Sequence, residues 1–319
     1  MISFNKSITI DLFKTAFLVR TIEEVIADNY KNGLMRCPTH LSIGQELVPS
    51  ILSVFQNSND LAVSTHRSHG HYLGKGGALL PFFDELHGLS TGCSTGNGGS
   101  MHLTDTEVGF IGSTAIVGNT IPVGVGLAQS LKLDCSSNFV YIFLGDGATE
   151  EGVFFESVQY AVLKELPCLF VIENNEYSVY TPIIERQNIS LKQKLQGLGL
   201  KYFKNENHDF KDLFNKFNSA IDNLRIGKGP IVIEVFTHRY REHCGPDFDD
   251  NLNYRSANFL KEWKDKDIIN LLKLQLTKDG LSESEIHNIS TDIKTNVKEI
   301  FKISEKNAIR KFNEFKMKQ

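Results

Sequence analysis

The chain has 319 residues, of which 41% are hydrophobic and 23% charged, a composition that fits a folded globular protein and excludes collagenous or low-complexity classes. Its net charge is −4, with lysine and arginine scattered, so neither a nucleic acid nor an anionic membrane is expected as a partner. The five cysteines (Cys37, Cys93, Cys135, Cys168, Cys244) are far apart and form no Cys-x-x-Cys pair, which argues against a zinc site or a disulfide framework and for free thiols.

The opening "MISFNKSITIDLFKTAF" has no charged leader followed by an apolar core, and no run of about 18 apolar residues occurs, so a cytoplasmic protein is expected. Apolar periodicity predicts an amphipathic helix over 9–32. The glycine-rich stretch 66–126 is too polar and broken for continuous secondary structure and is read as loops. From 138 the pattern changes: "NFVYIFLG" predicts a buried strand, "EEGVFFESVQYAVLKEL" a helix, "CLFVIEN" a second buried strand and "PIVIEVFT" (230–237) another. Strand-helix-strand alternation predicts an α/β fold, a largely parallel sheet with helices on both faces. From about 258 the pattern is helical, with Ser282 and Glu285 spaced as a capping box. The expected organisation is one α/β unit over 1–257 and a helical C-terminal extension over 258–319.

Two strands end in polar signals. Gly145-Asp146-Gly147 closes the first buried strand and Asn174-Asn175 the second, at the carboxyl ends where parallel sheets bind ligands. Asp146 and Asn175 are about one strand-helix-strand unit apart, so neighbouring strand ends can bring both to one point. A carboxylate, an amide oxygen and a backbone carbonyl form a hard, incomplete oxygen set that suits Mg²⁺ or Ca²⁺ completed by phosphate oxygens and water. Gly147 and Ala148 are expected to open the next helix, whose free N–H groups would hold a phosphate. The competing reading is that each motif is only a turn.

The glycine-aspartate-glycine motif, its spacing and the following Asn-Asn resemble the metal and diphosphate fingerprint of thiamine diphosphate enzymes. Within that class, "RTIEE" (20–24), "HLSIGQE" (40–46), "HRSHGHYLGKG" (66–76), "GNGGSMH" (96–102) and "AIVGNTIPVGVGLA" (115–128) resemble the alpha subunit of the decarboxylating component of 2-oxoacid dehydrogenase complexes, and the similar acetoin dehydrogenase alpha subunit. The match runs in order from about 10 to 265.

The resemblance implies thiamine diphosphate and Mg²⁺ as cofactors. It implies Asp146, Asn175 and the Tyr177 backbone carbonyl as metal ligands, with Gly145, Gly147 and Ala148 beside the diphosphate. It puts His66 and Arg67 on the diphosphate; Arg67 is also a fixed cation with a fork of donors suited to phosphate. The backbones of Ala115 and Val117 are implied against the aminopyrimidine, with the Val117 side chain under the bend between the cofactor rings. His69 is implied as a catalytic residue lining the channel and is preferred over His71, although either could be a hydrogen-bonded structural histidine. His243, in the loop "HRYREHCGPDFDD" (238–250), is implied as a second catalytic residue that also reaches the cofactor. Cys244 stands where the resemblance implies a serine, the regulatory phosphorylation target in mitochondrial members, so that regulation is excluded here.

The family's activating glutamate lies on a separate pyrimidine-binding domain, for which this chain has no room. The resemblance therefore implies a beta subunit in a two-alpha, two-beta enzyme that decarboxylates a 2-oxoacid, or cleaves an acetoin-like ketone, and passes the acyl group to a lipoyl acyltransferase. Two other readings stay open: a thiamine diphosphate-dependent ligase or decarboxylase in a biosynthetic route, and a non-catalytic phosphate- or nucleotide-binding module.

Overall fold

In the computed structural model, residues 2–316 are described. Helix α1 (Lys6–Asn29) starts at Asn5, whose side chain accepts a hydrogen bond from the Ile8 amide and so satisfies one of the free N–H groups of the first turn. Its residues Leu12, Phe13, Ala16, Val19, Ile22 and Ile26 recur at helical spacing, and each is fully buried. Helix α2 (Leu47–Val54), strand β1 (Leu61–Ser64), helices α3 (His69–Gly74) and α4 (Leu79–Leu86), strand β2 (Phe110–Ser113) and helix α5 (Thr120–Leu133) follow. The stretch 66–126 is thus not a set of loops, contrary to expectation. It holds two short helices, a strand and the start of a third helix, which its glycines and polar residues obscure.

Strand β3 (Val140–Gly145), helix α6 (Gly152–Leu163) and strand β4 (Cys168–Asn174) form the expected strand-helix-strand unit. A two-residue hairpin, β5 (Tyr177–Ser178) with β6 (Thr181–Pro182), leads through α7 (Ile183–Arg186) and α8 (Leu191–Gly197) to β7 (Lys201–Asn205), α9 (Phe210–Arg225) and β8 (Ile231–Phe236). Helices α10 (Ala257–Asp265), α11 (Ile268–Lys278) and α12 (Glu283–Lys316) complete the chain. At the start of α12, Ser282 N donates to Glu285 Oε2 at 2.7 Å and Glu285 N to Ser282 Oγ at 3.2 Å, forming the expected capping box.

The six main strands lie in the order β2-β1-β3-β4-β8-β7, all parallel. Side chains alternate between the two faces. Tyr141, Phe143, Leu169, Val171, Ile231 and Ile233 join one core with α1, α2, α9 and α11. Val140, Ile142, Leu144, Phe170, Ile172 and Val232 join the other with α5 and α6. A sheet covered on both faces explains the unbroken apolar runs in β3, β4 and β8. Ile268, Leu272, Ile286, Val297 and Phe301 of the C-terminal helices belong to the first core, so much of the tail is integral to it. Each such side chain contributes roughly 1.5–3 kcal/mol by leaving water.

Candidate active site

The carboxyl ends of β3 and β4 are adjacent, with Gly145 opposite Glu173 in the parallel register. Beyond them opens a cleft of about 290 Å³. From the strand ends it is lined by Gly145, Asp146, Gly147, Ala148, Glu173, Asn175 and Tyr177; from neighbouring loops, by Gln45, His66, Arg67, Val117 and His243. Ten of the twelve residues singled out in the sequence meet here. The two exceptions are Ala115 and His69. Ala115 is half-buried and does not line the cleft, although Val117, two positions on, does.

His69, expected in the channel wall, is completely buried and does not line the cleft. Its Nδ1 is hydrogen-bonded with Glu23 Oε2 at 3.0 Å and its Nε2 with Ser100 Oγ at 2.7 Å. Both ring nitrogens are used, and Glu23 Oε1 also accepts from the Ser42 amide at 2.9 Å, so this ring braces the loops behind the cleft. His71 lies closer to the site: its Nε2 contacts Glu173 Oε2 at 2.9 Å, its Nδ1 bonds Ser64 Oγ at 2.8 Å, and its ring stacks on Phe143.

Asp146 is almost fully buried, at 2% exposure. It begins a short 3-10 turn, Asp146–Glu150, and α6 starts only at Gly152 after an extended Glu151. Gly147 and Ala148 therefore do not open the helix, and the expected helix-dipole contribution at those amides is replaced by a single tight turn. Burial pushes the Asp146 carboxyl up, while its hydrogen bond and charge interaction with Arg186 pull it down. Arg186 donates to both Asp146 and Glu150 and ties α7 to the strand end. Asn175 Oδ1 accepts from the Tyr177 amide at 3.1 Å, which fixes the turn into β5.

Arg67 is buried, and donates to the backbone carbonyls of Leu41 and His243, the latter at 3.0 Å. Burial and the nearby Arg239 push its guanidinium down to about 9, so it remains a cation at neutral pH. Burial, then Arg67, lower His66 to about 3 and His243 to about 4, so both rings are neutral. Sequence reasoning missed Arg186, Glu173, Gln45 and His40. Of these, His40 and Gln45 stand within the quoted "HLSIGQE", while Arg186 follows the Asn-Asn motif by one hairpin and carried no signal of its own.

Residues 14–313 match the dehydrogenase E1 component family. The chain belongs to that family. It is similar to the protein named pyruvate dehydrogenase E1 component subunit alpha of Rickettsia felis, with 34% identity over 93% of this chain and 91% of that one. The proteins of the same name from Zymomonas mobilis and Porphyra purpurea are 34% and 32% identical, over 93% of this chain and 84% and 88% of theirs. Among solved structures, transketolase from Campylobacter jejuni superposes with a TM-score of 0.58 over 89% of this chain. At 17% identity that likeness is one of fold, and the chain spans 50% of the transketolase chain. Among the described residues of this E1 family member, no helix is long and apolar enough to cross a membrane.

Proposed function

We propose that this chain is the alpha subunit of a cytoplasmic thiamine diphosphate-dependent 2-oxoacid dehydrogenase, with pyruvate as the substrate that the names of its relatives favour. The observation that carries the reading is the convergence of Asp146 and Asn175 at two adjacent strand ends, in a cleft shared with Arg67 and His243, in a chain of this family. The relatives named above lend no support to a biosynthetic ligase or a non-catalytic phosphate-binding module.

The cleft suits the cofactor on its own chemistry. Asp146, Asn175 and the Tyr177 carbonyl offer hard oxygen ligands for Mg²⁺, and Arg67 is a buried cation for the diphosphate. Gln45 lines the cleft with its side-chain oxygen buried and without a hydrogen-bond partner, an acceptor for a ligand N–H. A Cβ built on Gly145 would meet nothing within 4 Å, which leaves that strand end open to a phosphate. Arg186 now holds the Asp146 charge, so the carboxylate would exchange or share that partner when it binds a metal.

When bound, thiamine diphosphate supplies an ylid that adds to the substrate carbonyl and takes up the electrons of the broken carbon–carbon bond. The chain's own share is to bind and orient. Arg67 and His66 hold the diphosphate end, Val117 supplies an apolar rim for the rings, and neutral His243 can accept or deliver a proton in the cleft. Ala115, beside Val117, is left with a backbone role toward the aminopyrimidine. His69 acts at most by positioning, through Glu23 and Ser100. Val117 and Ile116 stand 45% and 65% exposed at the rim, an uncovered apolar edge that a beta subunit would close. That subunit would carry the activating glutamate, and a lipoyl acyltransferase would accept the acyl group.

The test is turnover of pyruvate, followed with an artificial electron acceptor, by this chain mixed with its beta subunit, thiamine diphosphate and Mg²⁺. Turnover that depends on all four components is expected. A reconstituted complex that binds the cofactor yet consumes no 2-oxoacid would exclude the dehydrogenase reading.

A further inference from the structure

Away from the cofactor cleft, a second cavity of about 450 Å³ opens between the end of α4, the loop that follows it and the last turns of α12. It shares no lining residue with the cleft, and its volume falls in the range of small-molecule sites. One wall is held by a buried charge. Glu85 is fully buried and accepts from the amides of Ser94 (2.7 Å), Gly96 (2.8 Å), Gly98 (2.7 Å) and Gly99 (3.0 Å). Its negative charge is thus spent on fixing the loop 94–99, and it offers no free lone pair to the cavity.

Three other lining side chains are left with something to offer. Arg36 Nε donates to the Gly33 carbonyl at 3.3 Å and Lys311 Nζ to the Gly88 carbonyl at 2.7 Å, which leaves each cation with further donors, and neither forms an ion pair among the described residues. The Arg36 guanidinium lies 5.5 Å from the centre of the Phe312 ring, next to Lys311 in the chain, so both cations stand on the rim beside exposed Phe312 and Phe315. His87 is 9% exposed. Its Nδ1 is hydrogen-bonded with Ser304 Oγ at 2.8 Å, while its Nε2 is buried without a partner. Burial disfavours its protonation, and in either neutral tautomer Nε2 has one hydrogen bond to give or to take. Buried polar atoms are nearly always paired, so an unfilled one in a cavity wall points to a ligand.

We propose that this cavity is a binding site for an organic anion. An apolar body, aryl or acyl, packs against Leu34, Leu86, Phe312 and Phe315; a carboxylate, sulfonate or phosphate head sits between Arg36 and Lys311; and a polar atom of the ligand pairs with His87 Nε2. Each part of the wall excludes a different competitor. A cation meets two positive side chains, a neutral apolar molecule leaves them unanswered, and inorganic phosphate leaves the aromatic rings wet. The site also adjoins the supports of the cleft through the chain itself. The segment at 34–37 runs on to Leu41, whose carbonyl accepts from Arg67, and Gly99 precedes Ser100, whose Oγ is bonded with His69. A bound anion therefore ties together segments that brace the cleft, and it raises the unfolding midpoint of the chain by mass action.

The test reads binding and never turnover, so its failure and that of the dehydrogenase reading are separable. The full chain is titrated with 8-anilinonaphthalene-1-sulfonate by calorimetry and fluorescence, with competitors added in turn. One saturable equivalent is expected, displaced by 2-naphthoate or decanoate and not by decanol or inorganic phosphate; whichever of the two acids competes better assigns the body as aryl or acyl. The double charge reversal Arg36→Glu, Lys311→Glu should weaken binding by about 10-fold or more, which is about 1.4 kcal/mol. The same reversal at Lys298 and Lys302, exposed on α12 and outside the cavity, should leave it unchanged. His87→Phe, which keeps a planar ring and removes Nε2, should weaken binding by roughly 2- to 10-fold. Binding that survives the reversal at Arg36 and Lys311, equal displacement by decanol or phosphate, or no saturable equivalent overturns the proposal. Should His87→Phe misfold, the charge reversal decides, since both of its residues are exposed. In the reconstituted complex the site should persist, and its loss there would give the cavity to the second subunit and overturn the small-molecule reading.

Discussion

Arg186 donates to Asp146 Oδ2, joining the end of β3 to a helix forty residues further on. Burial alone would raise the proton affinity of Asp146, and Arg186 is the largest influence that opposes it. Asp146→Ala should abolish the Mg²⁺-dependent part of thiamine diphosphate binding in the assembled complex, read by calorimetry with and without the ion. Arg186→Ala should leave the carboxylate in place but harder to ionise. The pH at which Mg²⁺-dependent binding appears should therefore rise. Unchanged affinity in Asp146→Ala would remove it as a metal ligand.

Strand β4 is legible to the residue, since all seven of its side chains are buried and the run Cys168 to Ile172 is unbroken apolar before Glu173 and Asn174 close it. Strands β1, β2 and β7 gave no such signal. The first two have four residues each and meet through an irregular register, and β7, "KYFKN", is an edge strand that carries lysines at 201 and 204. The cleft was legible where a residue type has one chemistry to offer, as with Asp146, Asn175 and Arg67, all of which line it. It was not legible for His69 against His71, because a histidine's role depends on what each ring nitrogen meets, and Glu23, Ser100 and Glu173 arrive from distant parts of the chain. The tight turn at Gly147 was missed for a related reason: a 3-10 turn and the first turn of an α-helix have the same local sequence preferences.

Helix α5 was hidden by its own glycines, and two of them predict opposite outcomes. A Cβ on Gly124 would lie 2.6 Å from Ile142 and 2.8 Å from Val63, side chains of the sheet beneath. On Gly126 a Cβ would meet nothing within 4 Å. Alanine gains about 0.8–1.0 kcal/mol over glycine in a helix interior. At Gly126 that gain stands, so Gly126→Ala should raise the urea midpoint. At Gly124 overpacking of roughly 1–3 kcal/mol outweighs it, so Gly124→Ala should lower the midpoint. The same sign for both would contradict this account of why α5 carries glycine against the sheet.

Acid should destabilise the fold through His66 and His243, which line the cleft, and through His40, which packs against both. His40, His66 and His243 are held far below the ordinary histidine value, chiefly by burial. Below about pH 6.5 the unfolded chain takes up protons that the folded chain refuses, so stability falls as pH falls from there toward about 4. Each such histidine contributes a slope of roughly 1.4 kcal/mol per pH unit in that window. Urea unfolding of the isolated chain at pH 7, 6 and 5 reads the slope, and His66→Gln should flatten it. A profile level over that range would mean that the rings protonate in the folded state.

His243 tests whether the cleft's chemistry or only its shape depends on a loop side chain. Its backbone carbonyl accepts from Arg67, and that bond survives substitution, while its ring lines the cleft. His243→Ala should slow turnover of the reconstituted enzyme by about 10²-fold or more, the size expected for loss of a proton-transfer group. Thiamine diphosphate affinity should change much less. Near-normal turnover would reduce His243 to a wall residue.

The partner requirement follows from what the cleft lacks. Arg67, Asp146 and Asn175 line it, and Val117, which also lines it, and its neighbour Ile116 form an apolar edge open to solvent. A cofactor held by its diphosphate alone has its reactive rings unsupported and wet, which weakens every interaction that would position them. The isolated chain should therefore fold, bind thiamine diphosphate weakly and show no measurable loss of 2-oxoacid. Addition of the beta subunit should restore both tight binding and turnover. Because the site would be shared between chains, turnover per alpha chain should fall on dilution below the dissociation constant of the complex and recover when excess beta subunit is added. Charged replacement at the rim, Ile116→Glu, should shift that dilution midpoint to higher concentration while leaving the melting temperature of the isolated chain unchanged, since a side chain already 65% exposed loses little by becoming polar. Sustained turnover by the isolated chain, or a midpoint indifferent to Ile116→Glu, would show that the rim is not where the second subunit sits.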